Sequence, residues 1–256
     1  MKEVRRSLLG VVLSTVAVLT IAAPSISRAV MQPAEVVIQD INGTASYSVA
    51  GTWQPLMKNM RLAQGAVIRT DGESTVDLLF HASATALRLT PSSSLRLDKL
   101  NQEAGGETMV SETTLTLLTG AVAGTQRHLA APSRFQILTP HGSARIVGTE
   151  YFVRADGAVS VVSGAVTVNY NKPGAGGSVQ VTVQAGQSFD PTTGTVVATT
   201  PAYLQNIIAH INTTANNAET FKVTGKATLV VKPEKPVSPH GSDDQGHGDD
   251  DRHGHD

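Results

Sequence analysis

Histidine and aspartate crowd the end of the chain. His240, His247, His253 and His255 are interleaved with Asp243, Asp244, Asp249, Asp250, Asp251 and Asp256. Neutral imidazole and carboxylate together suit Zn²⁺, Ni²⁺ or Cu²⁺, and short His-rich tracts read as metal-binding. His253-Gly254-His255 sets two imidazoles within chelating reach on a flexible backbone. The ligand set predicted from this pattern is His240, His247, His253 and His255 with Asp249 and Asp251. Ordering such a segment costs conformational entropy, so its affinity would be modest. A solvating acidic tail is the plainer reading of the same residues.

Catalytic chemistry has little to stand on. Before the tail the histidines are His81, His128, His141 and His210, far apart in sequence, and His141 reads as a surface residue of the Pro140–Gly142 turn. Neither Gly-x-Ser-x-Gly nor His-Glu-x-x-His occurs, so the usual nucleophile and metalloprotease signatures are missing. The carboxylate pairs Asp71/Glu73 and Glu103/Glu107 fall between apolar runs and read as solvated loops. No enzyme is predicted. Gly148-Thr149 could form a recognition loop, but the stronger expectation is a glycine relieving a bulge or close backbone approach, with the threonine hydroxyl on a local backbone group. The single tryptophan, Trp53, is expected to pack as a lid over the core with its N–H on a carbonyl.

The elements that must position these residues are short strands. From Phe135 to Val168 apolar residues recur at every second position between breaks at His141-Gly142 and Ala155-Asp156-Gly157. That period belongs to β-structure. Turn signals follow at intervals of about 8 to 12 residues, which argues an all-β sandwich, barrel or solenoid. Residues 201–217 differ: Leu204, Ile207, Ile208 and Ile211 fall at helical spacing behind Pro201, predicting one amphipathic helix docked on the β body. Phe221 to Val231 returns to strand alternation, and from Lys232 onward nothing is available to bury, so a disordered tail is expected.

Lys2, Arg5 and Arg6 precede an uncharged apolar run from Leu8 to Ala23, closed by Pro24 and the small residues Ser27 and Ala29. These are the parts of a secretory signal peptide cleaved near Ala29. The run falls short of the roughly 20 residues that span a membrane. The chain holds 20 Lys+Arg and 21 Asp+Glu; residues 1–29 contain four of the bases and one acid, leaving 16 against 20, a net charge of −4. No basic field remains to attract nucleic acid. There is no cysteine, so stability in an oxidising compartment would come from the apolar core alone.

The stretch from Ala34 to Gln187 resembles the FecR domain, the extracytoplasmic module of bacterial iron-transport regulators. The residues that carry the likeness are Trp53 with Leu62 to Thr70, Leu87 to Leu95 (like the family's middle strand pair), and Leu115 to Val122. Phe135 to Pro140 with Val147 to Val153 follows, then Val159 to Val168 and Ala185-Gly186-Gln187. Where the family often has arginine before Gly-Thr, this chain has Val147. The resemblance implies an exported, non-catalytic module that binds an envelope protein or polysaccharide. With only Met1 to Ser7 ahead of the apolar run, a cytoplasmic sigma factor is not an expected partner. The organisation expected is a signal peptide over 1–29, a FecR-like β-sandwich or β-solenoid-like domain over 34–190, an extension with helix and strand over 191–232, and an Asp/His-rich tail over 233–256. The expected compartment is the periplasm or the exterior. Two rival readings remain: a surface scaffold whose tail binds metal, and a membrane-tethered regulator.

Overall fold

The computed structural model describes residues 30–103, 110–129, 131–172, 177–224 and 229–231. In chain order the strands are β1 Met31–Pro33, β2 Glu35–Asn42, β3 Ala45–Val49, β4 Thr52–Pro55, β5 Met60–Ala63, β6 Val67–Thr70, β7 Thr75–Phe80, β8 Thr85–Leu89, β9 Ser94–Glu103 and β10 Ser111–Thr119. There follow β11 Ala121–Gln126, β12 Arg134–Thr139, β13 Gly142–Ile146, β14 Glu150–Arg154, β15 Val159–Ser163, β16 Ala165–Asn171, β17 Ser178–Gln184, β18 Gln187–Asp190 and β19 Thr195–Ala198. Helix α1, Pro201–Thr224, precedes the last strand, β20 Leu229–Val231.

These strands form two sheets. The first runs β17-β16-β13-β12-β10-β9-β6-β3-β4, with β1 on β9; the second runs β19-β18-β15-β14-β11-β8-β7-β2-β5-β20. From β7 onward the chain deals strands to the two sheets in turn, mostly as antiparallel hairpins. The result is an all-β sandwich assembled by solenoid-like winding, and the sheets close into no barrel. Val, Leu and Ile at alternate positions account for it, since such side chains fit a pleated, half-buried surface. The inner residues of both sheets make one continuous core, from Ile38, Leu62 and Leu78 through Leu97, Leu115 and Phe135 to Val166 and Phe189.

Each passage between sheets needs a corner, and the corners use the residues of the family-like motifs. Between β8 and β9 buried hydroxyls knit the turn: the Thr70 hydroxyl donates to the Thr90 carbonyl at 2.7 Å, and Ala121 N–H donates to Ser93 Oγ at 3.0 Å. Leu87–Leu89 and Leu95 are therefore not a strand pair; β8 and β9 lie in opposite sheets. Gly148 makes the β13–β14 corner with φ +67°, and a Cβ there would lie 2.9 Å from His128 Cα. The expected close backbone approach is present. The Thr149 hydroxyl, however, is buried with no hydrogen-bond partner among the described residues, contrary to the local bond expected of it. Gly164 stacks on that corner from the next turn of the winding, where a Cβ would stand 2.7 Å from the Gly148 carbonyl oxygen.

Helix α1 covers the outer face of the second sheet. Ile207 and Ile211 bury against Ala123, with Phe152 and Val162 packed around them. The helix runs on to Thr224, past the predicted limit, and the strand expected from Phe221 shrinks to Leu229–Val231, parallel to β5. Among the described residues no helix is long and apolar enough to cross a membrane.

Candidate binding surface

Residues 1–29 and the tail residues predicted as ligands, His240, His247, His253, His255, Asp249 and Asp251, lie outside the described residues. Among the described residues no three His, Asp or Glu side chains converge. His81 opens a short turn after β7, His128 backs Gly148, and His210 rides on α1. His141 lies in the turn before β13, partly exposed, its ring 6.4 Å from that of Tyr170.

The outer face of the first sheet carries no described helix. Cross-strand register aligns one row on it from edge to edge: Trp53, Ser48, Val67, Arg96, Thr116, Leu138, Ser143, Asn169 and Gln180. Directly paired residues share a face, and at about 4.8 Å per strand the row spans about 38 Å. A parallel row holds Lys99, Thr114, Gln136, Arg145, Thr167 and Thr182. The alternation that buries Ile68, Leu95, Leu115, Ile137 and Val168 inside is the same one that turns these hydroxyls and amides to the other face, where all but the buried Ser48 are at least partly exposed.

Over β12, β13 and β16 the face dips into a shallow groove of about 370 Å³. Gln136, Leu138, Thr139, Gly142, Ser143, Asn169 and Asn171 line it. None of these is charged. The amides are held in line: Gln180 Nε2 donates to Asn169 Oδ1 at 2.9 Å, and Asn169 Nδ2 reaches Ser143 Oγ at 3.5 Å. Arg145, exposed and paired in register with Gln136, borders the groove. Further along, the charges answer one another. Arg96 binds Asp98, which also accepts from the Thr116 hydroxyl, and Lys99 donates to Glu112 at 3.2 Å.

Trp53 closes the far end of this face. It is 41% exposed, so the expected lid over the core is wrong. Its pairing with Ser48 on an edge strand turns it outward, and the Arg69 guanidinium carbon stands 4.2 Å from the ring centroid as a cation–π partner.

The sharpest polar cluster lies instead beneath α1, where sequence reading did not look. Arg88 Nε and Nη2 donate to the two carboxylate oxygens of Asp77 at 2.7 and 2.6 Å, and the Thr214 hydroxyl donates to Asp77 Oδ1 at 3.0 Å from the helix. His210 is held below its ordinary pKa by partial burial first and by the Arg88 charge second, with Asp77 opposing. The signal for this pair was present: Asp77 and Arg88 are the lone charges in two otherwise apolar strands. This cluster is filled by its own partners and ties helix to sheet.

With that geometry in place, residues 66–167 match the family model described as FecR protein. This stretch is a FecR domain. The match runs from β6 into β16, the part of the chain that winds between the sheets and carries the glycine corners. Strands on both sides of the FecR match complete the same two sheets. Two crystal structures of a protein from Parabacteroides distasonis ATCC 8503, provisionally named an anti-sigma factor, are similar in part. The first is 16% identical with a TM-score of 0.39, the second 15% identical with a TM-score of 0.37. In both cases the likeness covers 51% of this chain and 57% of the solved one, so the chain spans little more than half their length. No curated protein matches the chain.

Proposed function

We propose that the protein is an exported, non-catalytic FecR module that binds a polysaccharide of the cell envelope along the outer face of its first sheet. The groove of Gln136, Ser143, Asn169 and Asn171 carries the reading. Planar amides and hydroxyls pair with sugar hydroxyls as both donors and acceptors, and the amides here are already aligned by their own hydrogen bonds. A shallow, open groove lined by uncharged side chains suits a stretch of an extended polymer better than a compact metabolite, which would be enclosed on most of its surface. The basic, apolar and small-residue order of residues 1–29 supports export.

The test is titration calorimetry of the chain lacking residues 1–29 against peptidoglycan fragments and extracted envelope polysaccharides. An Asn169→Ala/Asn171→Ala variant is run in parallel. Heat with one glycan, lost in the variant while its unfolding curve is unchanged, supports the reading. Binding to no glycan, or equal binding by the variant, sinks it.

A further inference from the structure

The sheets offer five edge strands among the described residues: the three-residue β1 on β9, β4, with Pro55 at its end, the short β19 and β20, and β17. Only β17 is long. Its sequence Ser178-Val179-Gln180-Val181-Thr182-Val183-Gln184 contains no charge, proline or glycine. Natural edges are ordinarily blunted by lysine, proline, a bulge or shortness, and β17 pairs with β16 through all seven residues without a bulge. An unguarded edge of this kind is a template for another strand.

The ladder says which backbone groups are on offer. Ala185 N–H donates to the Gly164 carbonyl at 3.1 Å and Lys172 N–H to the Gly177 carbonyl at 3.2 Å. Hydrogen-bonded and non-hydrogen-bonded pairs alternate in an antiparallel ladder. Val179, Val181 and Val183 therefore bond to β16, while Ser178, Gln180, Thr182 and Gln184 turn their N–H and C=O outward. Gln184 N–H is already taken by Gln187 Oε1 at 2.9 Å. Ser178, Gln180 and Thr182 remain.

We infer that the occupant is a second copy of this chain, paired antiparallel through β17 about a two-fold axis at Gln180. That register sets Gln180 opposite Gln180 and Ser178 opposite Thr182 twice, and it uses every uncapped outward residue in six backbone hydrogen bonds. It also preserves the faces. Val179 meets Val181 on the core side, which covers a Val179 left 37% exposed in the single copy, and the polar residues stay outside. Such a contact is isologous and closes on itself, so it stops at a dimer. The two first sheets become one, with the row through Asn169 and Gln180 running across the axis.

Two variants test this in the chain lacking residues 1–29. Gln180→Pro deletes an outward N–H and leaves the bonds to β16 intact. Sedimentation should show a concentration-dependent dimer whose dissociation constant rises at least about tenfold in this variant. Because the protein has no cysteine, Gln180→Cys reports the register without relying on proline. Opposed side chains in a hydrogen-bonded pair start about 5.5 Å apart at Cβ, slightly too wide for an unstrained disulfide, so a short bifunctional thiol cross-linker should join two chains. Thr182→Cys, roughly 14 Å from its counterpart across the axis, should not link. A monomer at every concentration, or linkage through Thr182→Cys in preference to Gln180→Cys, overturns the inference.

Discussion

Replacing Arg88 with methionine strips the cation from Asp77 while keeping an apolar stem of similar length under α1. The Asp77 side chain is 2% exposed and that of Arg88 11%, and the two share a bidentate contact at 2.6–2.7 Å. Breaking a buried pair from one side costs about 3–5 kcal/mol, because the remaining charge stays out of water without its partner. Thr214 still donates to Asp77 in the variant, but a neutral hydroxyl does not replace the charge of a guanidinium. Against a total stability of about 5–15 kcal/mol, the loss is a large share. Asp77→Leu should cost about as much for the mirror-image reason. The double variant should return to within about 2 kcal/mol of the parent, since neither charge then has to be desolvated. Guanidinium unfolding followed by far-ultraviolet circular dichroism measures all four corners of the cycle, with an unchanged slope showing that the same surface is exposed. Additive losses, with the double variant as weak as the two singles summed, would refute the reasoning.

Three further outcomes follow from the same structure. Gly164→Ala forces a side chain into φ +76° and against the Gly148 carbonyl at 2.7 Å; the backbone cost alone is about 1–2 kcal/mol, so the unfolding midpoint should drop measurably. His210 has a lowered pKa in the fold, so the unfolded chain holds more protons just below the ordinary histidine pKa of about 6.5. Its contribution is complete above that pH and is lost as pH falls through the lower folded value, and stability should decline in this window by less in His210→Gln than in the parent. Calorimetry of the peptide 239–256 with Zn²⁺ at neutral pH should give weak saturable heat that disappears when His253 and His255 become alanine; no heat at all removes metal from the account of the tail.

Much of the fold was legible because alternation with period two and regular turn residues belong to local physics. Most strand positions from Val36 to Val197, the helix beginning at Pro201 and the all-β class follow from side-chain spacing alone, whereas the strands Thr52–Pro55 and Gln187–Asp190 and the break between β5 and β6 do not. The FecR resemblance rested on motif residues instead, among them glycines that mark corners and that a single sequence shows only as gaps in a pattern. What spacing could not show is which sheet a strand joins. Val36–Val49 reads as one turn-linked unit, yet β2 and β3 lie in opposite sheets, and the same holds for β13 and β14 across Gly148.

The candidate surface was half visible. The alternation that buries Ile137 and Val168 already required Gln136, Ser143 and Asn169 to face outward, but nothing in the sequence brought β12, β13 and β16 side by side, and only tertiary pairing makes a groove of them. Trp53 shows the opposite failure: a large aromatic suggests burial, and its place on an edge strand overruled that. Asp77 and Arg88 lie eleven residues apart on two strands, each an anomaly by itself; pairing those strands under a helix that begins more than a hundred residues later turned two misfits into one buried contact. Local periodicity sets which way each side chain points, because it depends only on neighbours along the chain. Which side chains meet depends on closing long loops, and that is decided by the folded whole.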